Sequence, residues 1–293
     1  MGAGSSPLET VVAPLSAADV SSLLRERKLT FLRAGGEVRH SALKSVLGWD
    51  ALLGMIARGD YPRGRDHIRV AKESVSVPPS AWMTGTEVDP AKLEEHLAQD
   101  YSLIVTHLER HVPLLGGVCE EIRSRLSEAS YAGVIVTTGT ARAIKRHYDY
   151  EDLIIVQIEG TKRWQIYGPA VSNPVRNMPR PPEPDKVPVF DEVLEPGDLL
   201  FVPAGNWHHC ENGPSRSLHI GIFFIPATPW HVVREMGLDL LADELFRVRF
   251  ARVHDPEELA ALEAELKARL LTKVNALDLR RFADRWPKVA YSA

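Results

Sequence analysis

From His147 to Tyr167 the chain reads HYDYEDLIIVQIEGTKRWQIY, and few folds accommodate that order of residues. Side chains alternate across a strand, so His147, Asp149, Leu153, Ile155 and Gln157 share one face. A two-residue turn, Glu159-Gly160 or Gly160-Thr161, is expected to fold this strand back as a hairpin. Lys162, Trp164 and Ile166 then fall on the same face as His147 and Asp149. An imidazole, a carboxylate and an ammonium would point into one interior, where unpaired polar groups are costly. A fold has little structural reason to arrange that. His and Asp at a strand start also serve simply to finish turns, so the tripeptide alone does not make a metal site.

A third ligand is offered further on. Glu195 to Asp198 reads as a turn, Leu199 to Val202 as a buried strand, and Pro203 to Cys210 as a kink that delivers a histidine. His208 joins His147 and Asp149 to give two histidines and one carboxylate, the set that leaves open positions in non-haem Fe(II) oxygenases. Alternation puts His208 and Cys210 on one face and His209 on the other. Cys210 is soft enough for zinc but reads as a small buried thiol, and His209 as an outer or surface residue. The stretch from His208 to Glu211 is expected to pair with Ser217 to Phe223 across the turn Asn212 to Ser215. That pairing sets His219 on the face of His208, where a role in the site and a hydrogen-bonded core histidine both remain open.

Lys162 sharpens the chemistry. A buried ammonium loses several kcal/mol of hydration unless an anion meets it, and metal binding would occupy Asp149. The lysine therefore asks for a small acidic ligand. Fe(II), an open coordination site and a buried cation together suggest 2-oxoglutarate, chelating the metal at one end and salt-bridged at the other.

Composition narrows the class. With 293 residues, 44% hydrophobic and 25% charged, the chain has the make-up of a globular protein. Its net charge of -4 gives no basic field for nucleic acid. Cys119 and Cys210 form neither a disulfide framework nor a zinc motif, which points to a reducing, cytoplasmic setting. No apolar run approaches the ~20 residues that span a bilayer.

Around the central stretch, residues 1–15 read as a flexible lead. Helices are expected from Ser16, over Leu43 to Arg58, from Asp89 to about Gln99 and from Leu114 to Leu126, with strands at Lys28 to Arg33, His67 to Val77 and Tyr101 to Val105. Tyr131 to Ile225 reads as all-β. Within it, Gly168 to Pro188 holds seven prolines and cannot ladder in a sheet. It is either a lid near the site or, the preferred reading, a passive surface excursion. Arg142, Lys145 and Arg146 form a small basic cluster read as a solvated patch. After Pro229 the pattern is helical, and Leu259, Leu262, Leu266 and Leu270 stripe one face of a helix started by Asp255-Pro256. So short a tail can hardly bury that stripe alone, so docking or dimerisation is expected.

His147-Tyr-Asp149, Gln157-Ile-Glu-Gly160, Lys162-x-Trp164, Val193 to Leu200, Pro203-x-Gly205 and Ser217-Leu-His219 resemble the Jumonji-C 2-oxoglutarate oxygenases, most of all their cupin-like ribosomal-oxygenase branch. The resemblance covers roughly residues 133–226 and implies a mainly β fold with helices. Its core would be a double-stranded β-helix (jelly-roll or cupin), with an N-terminal α/β flank and a C-terminal helical region. It implies an oxygenase domain over 1–230, a helical dimerisation region over 231–293, and a homodimer. It implies Fe(II) on His147, Asp149 and His208, and 2-oxoglutarate on Lys162, with His219 a further candidate for that pocket. Chemically it implies hydroxylation of an unactivated C–H by O2, coupled to oxidative decarboxylation of 2-oxoglutarate to succinate.

The substrate expected is a protein or peptide side chain, or alternatively a free amino acid or peptide natural product. A non-catalytic metal-binding cupin is the rival from another class, and it leaves Lys162 unexplained. Two departures from the branch stand out. It commonly has a tyrosine at the position of Ile135, which puts co-substrate contacts beyond Lys162 in question. It also carries a winged-helix domain that this chain has no room for, which weakens transfer of a ribosomal substrate.

Overall fold

Short apolar strands assemble here into two sheets that face each other across a cavity. The structure is a computed structural model describing residues 6–33, 37–61, 67–139, 143–213, 215–249 and 255–289. In chain order, α1 (Pro7–Val12), α2 (Ala17–Glu26), β1 (Thr30–Leu32), α3 (Glu37–Leu47) and α4 (Trp49–Ala57) come first. Next are β2 (Ile68–Lys72), β3 (Val75–Ser76), β4 (Met83–Thr84), β5 (Glu87–Val88), α5 (Pro90–Ala98), β6 (Ser102–Thr106) and α6 (Pro113–Glu121). The central strands are β7 (Ala129–Thr137), β8 (Asp152–Glu159), β9 (Lys162–Pro169), β10 (Phe190–Leu194), β11 (Leu199–Val202), β12 (Asn206–Asn212) and β13 (Ser217–Ile225).

The larger sheet runs β1-β11-β8-β13-β7-β6-β2-β3 and the smaller β10-β9-β12. Every pairing recorded in them is antiparallel. On the larger sheet, even-numbered residues such as Val134, Val136, Ile154, Val156, Ile220 and Ile222 pack outward against the helices in one core. Leu153 and Ile155 point the other way, into a second core with Trp164 and Ile166 of the smaller sheet. Strands covered on both sides read as unbroken apolar runs, which is why LIIVQI shows no polar alternation.

Three expectations are corrected. The lead is not featureless: Ser6 caps α1, and Leu8, Val11 and Val12 are fully buried. β8 and β9 are not a hairpin, because β8 pairs with β11 and β13 while β9 pairs with β10 and β12. The Gly160-Thr161 link carries the chain from one sheet to the other. Gly160 has φ 61°, and a Cβ there would lie 2.0 Å from the Arg216 carbonyl oxygen, so only glycine fits the crossing. Likewise β12 and β13 belong to different sheets, so the expected pairing of His208 with the Ser217–Phe223 strand does not form. In the two strand cases alternation told which side a residue faces but not which sheet it joins. Pro214 of that turn lies outside the described residues, as does Arg142.

Residues Ala227–Ala293 form a separate compact unit. It holds α7 (Pro229–Leu240), α8 (Pro256–Asn275) and α9 (Leu279–Val289). Asp255 caps α8 by accepting from the Glu257 amide, as the Asp-Pro-Glu-Glu start predicts. Within this unit Trp286 packs on His231 and Phe282. α8 has no buried residue, and Leu259 and Leu271 are 47% and 60% exposed.

Candidate metal centre and its cavity

His147 and His208 approach because their backbones form an isolated antiparallel bridge. His147 N donates to His208 O at 3.1 Å and His208 N to His147 O at 2.7 Å. A bulge between Trp207 and His208 on β12 turns the second histidine inward. Asp149 is held from behind, its carbonyl accepting from Gly205 N at 2.9 Å. One ligand atom from each of His147, Asp149 and His208 lies within 4.8 Å of the others. His147 Nε2 is 3.7 Å from Asp149 Oδ1, and His208 Nε2 is 3.6 Å from Asp149 Oδ2.

The tautomers suit a metal. His147 Nδ1 lies 2.8 Å from the Lys145 carbonyl and His208 Nδ1 3.0 Å from the Asn206 carbonyl. A carbonyl can only accept, so each Nδ1 carries a proton, which leaves Nε2 as the ring atom that faces Asp149 and is available to a metal. Burial, reinforced by the neighbouring His147, depresses the His208 pKa to about 4. It is therefore neutral, as a ligand must be. The donor set fits a divalent ion with open positions.

These residues open onto a cavity of about 170 Å³ that also includes Lys162, Trp164, Cys210, Asn212 and His219 in its lining. All five predicted site residues therefore meet in one place, although the strand pairings expected to bring them there were wrong. Both sheets turn their inward side chains to the same space. Lys162, 4% exposed, donates to Thr137 Oγ1 at 2.9 Å. Among the described residues no carboxylate pairs with it, and burial lowers its pKa to about 8.

Around it lie buried polar atoms without hydrogen-bond partners: Trp164 Nε1, His219 Nδ1 and Asn212 Oδ1. Burial, with Lys162 next, drives the His219 pKa well below its ordinary value, so this ring is uncharged. Native proteins rarely leave such groups unsatisfied, and their gathering beside an ammonium marks a polar ligand pocket. Cys210 lines the same cavity, its thiol pushed up to about 12 by burial and so protonated, although the residue as a whole is half-buried and not the fully buried thiol expected. His209 points away as alternation requires but is buried, 5% exposed, with Nε2 3.4 Å from Glu211.

Sequence reasoning missed Thr137, Asn212, Tyr131 and Phe223. Tyr131 and Phe223 stack with ring centres 4.6 Å apart and line the cavity, as does Arg69. Alternation through Tyr131-Ala-Gly-Val-Ile-Val-Thr137 would have placed the first and last of that run on one face.

Comparison with known proteins agrees with this geometry. Residues 118–230 match the JmjC domain. The chain is 25% identical over 231 residues to ribosomal oxygenase 2 of Mus musculus, covering 77% of this chain and 49% of that protein. It is 29% identical over 152 residues to the bifunctional lysine-specific demethylase and histidyl-hydroxylase NO66 of Drosophila grimshawi, covering 50% of this chain and 19% of that one. The chain thus spans about half the length of these relatives, or less. The ribosomal oxygenase YcfD of Escherichia coli superposes with a TM-score of 0.50 at 16% identity, over 86% of this chain and 66% of that chain, which shows the jelly-roll fold in common. A JmjC domain thus matches residues 118–230, and the chain is similar to the ribosomal oxygenases over part of their length.

Proposed function

We propose that this protein is an Fe(II)- and 2-oxoglutarate-dependent dioxygenase that hydroxylates a side chain of a protein or peptide. The observation that carries the reading is a two-histidine, one-carboxylate cluster sharing a cavity with a buried, carboxylate-free lysine. A relative named as a histidyl-hydroxylase and a YcfD structure described with cobalt and succinic acid support it.

In this reading His147, Asp149 and His208 hold Fe(II), which when bound supplies O2 activation at its open positions. The remaining work falls to the chain. Lys162, steadied by Thr137, binds the distal carboxylate of 2-oxoglutarate, and the unpartnered Trp164 Nε1 and His219 Nδ1 are placed to donate to further oxygens, whereas Asn212 Oδ1 only accepts and calls for a donor such as a water. Ile135, Leu153 and Ile155 line the space with apolar surface and exclude water from the reacting atoms. Tyr131 and Phe223 form a flat wall against which a substrate side chain can lie.

The proposal extends to organisation and setting. Residues 1–230 form the oxygenase domain and 231–293 a dimerisation region, a reading supported by the exposure of Leu259 and Leu270 on the α8 stripe, whose Leu262 and Leu266 are half-buried. Leu259→Glu with Leu270→Glu, at the exposed positions of the stripe, should convert a dimer to a monomer in sedimentation; a wild-type monomer would refute this part. The two unpaired cysteines suit the proposed cytoplasmic location. No helix among the described residues is long and apolar enough to cross a membrane.

The central test is succinate formation from 2-oxoglutarate with Fe(II), ascorbate and O2, with His208→Ala in parallel. Turnover in the wild type that vanishes in the variant supports the oxygenase. Absence of both turnover and 2-oxoglutarate binding would favour a non-catalytic cupin.

A further inference from the structure

The proline-rich stretch after β9, residues 170–189, contributes nothing to the cavity lining. It lies instead on the outer side of the ligand-bearing segment, as a strap. His147 and Asp149 point inward, so Arg146, Tyr148 and Tyr150 point outward, and each of these meets the strap or its root. The Arg146 guanidinium sits 3.8 Å from the centre of the Tyr167 ring. Its Nη1 donates to Pro184 O at 3.0 Å, and its Nε lies 3.2 Å from Glu183 Oε1. Arg180 of the strap covers Tyr148 at 5.1 Å. Tyr150, Ala170 and Val171 flank the buried cluster Tyr148, Tyr167 and Trp207. Glu151, just past the second ligand, has Arg176 of the strap at 3.8 Å.

The second ligand strand is reached in the same way. Gly205, whose amide holds the Asp149 carbonyl, accepts on its own carbonyl from Ala170 N at 2.8 Å. A Cβ on Gly205 would lie 2.3 Å from Val171 O and 3.3 Å from the buried Pro174. The strap therefore presses on the residues between and beside the ligands, on both strands, without touching a ligand side chain.

We infer that this strap is an outer clamp that sets the spacing of the three ligands, with Arg146 as its principal positioning residue. Proline density suits the task, because a chain with fixed φ angles transmits a contact without giving way. The basic side chain next to His147, read from sequence as a solvated charge, is a fastener. This inference rests on the metal-centre reading and concerns how tightly the centre holds its ion.

The test is Co(II) binding by the metal-stripped full chain, followed by visible absorption, alongside the melting temperature of the stripped protein. Groups that orient metal ligands typically contribute about 10- to 100-fold in metal affinity, and Arg146→Ala is expected to lose binding in that range. Glu183→Ala should shift affinity the same way by less, and Arg146→Lys should restore part of it. Val11→Ala, in the helical core of α1, serves as a variant destabilised away from the site. Arg146→Ala should weaken Co(II) binding and alter its absorption spectrum well beyond what Val11→Ala does at an equal fall in melting temperature. Wild-type affinity in Arg146→Ala, or a loss matched by Val11→Ala, would overturn the clamp while leaving the metal centre standing. A wild-type protein that binds no Co(II) would remove both.

Discussion

The two ends of the cavity are built on opposite principles. At the metal end every proton is assigned: both Nδ1 atoms donate to backbone carbonyls and a backbone bridge locks the histidines together. At the lysine end, one hydroxyl meets an ammonium, and three buried polar atoms have no partner. The first end is finished and waits for an ion whose ligands are already aimed. The second is unfinished: Lys162 and the Trp164 Nε1 donor call for an acceptor, and Asn212 Oδ1 for a donor, that the protein itself does not supply. Preorganisation and deliberate incompleteness thus sit side by side in a single cavity.

Separate losses at the two ends would establish this contrast. The largest effect is expected from His208→Ala, which should abolish metal binding and with it all turnover. Lys162→Ala should leave Co(II) affinity intact while weakening 2-oxoglutarate. A charged hydrogen bond contributes about 1.5–3 kcal/mol, which is roughly 10- to 150-fold in Kd. Loss of metal from Lys162→Ala would erase the distinction between the ends.

The pH response should separate them too. Burial holds the Lys162 pKa at about 8, below its unfolded value, so the lysine sheds its proton as pH rises through 8. An anion binds the protonated form, so 2-oxoglutarate affinity should hold below pH 8 and weaken above it. The depressed pKa also means that the unfolded chain binds more protons between pH 8 and the ordinary lysine range, so folding stability contributed by this group rises across that window. Calorimetric Kd values that stay flat from pH 7 to 9.5 would contradict the assignment. The smallest effect belongs to Thr137→Val, where one neutral hydrogen bond contributes about 0.5–1.5 kcal/mol. A severalfold weaker Kd for 2-oxoglutarate with unchanged metal affinity is expected.

Legibility from sequence divided along a physical line. His147, Asp149, His208 and Lys162 were readable because alternation is local and the side a residue faces follows from counting. Sheet membership was not readable: the link Gly160-Thr161 suits a hairpin turn as well as a crossing, and only the collision of a would-be Cβ with Arg216 O distinguishes them. The site still assembled as expected, because facing sheets and a hairpin both direct these positions into one interior. Thr137 escaped because it lies on β7 with no motif around it. The hold of Arg146 on Tyr167 and Glu183 escaped because contacts across such separations leave no local pattern. The helix expected from Leu43 to Arg58 breaks at Gly48, where a Cβ would lie 2.4 Å from both Lys44 O and Glu159 Oε1, a long-range constraint of the same kind.

The ladder between β9 and β12 has a consequence for selectivity. His208 stands opposite Ile166 and Asn212 opposite Lys162, so the metal ligand and the lysine are offset by a fixed number of rungs on one ladder. At ~3.4 Å per residue the four-residue offset is about 14 Å between backbones, and both side chains reach inward from it to line the same cavity. Hydrogen-bonded register makes this a ruler that cannot slip by one residue without turning Lys162 out of the cavity. If Lys162 and the metal centre hold the two ends of one diacid, as proposed, binding is expected to weaken when that diacid is a carbon shorter or longer than 2-oxoglutarate, which calorimetry would show.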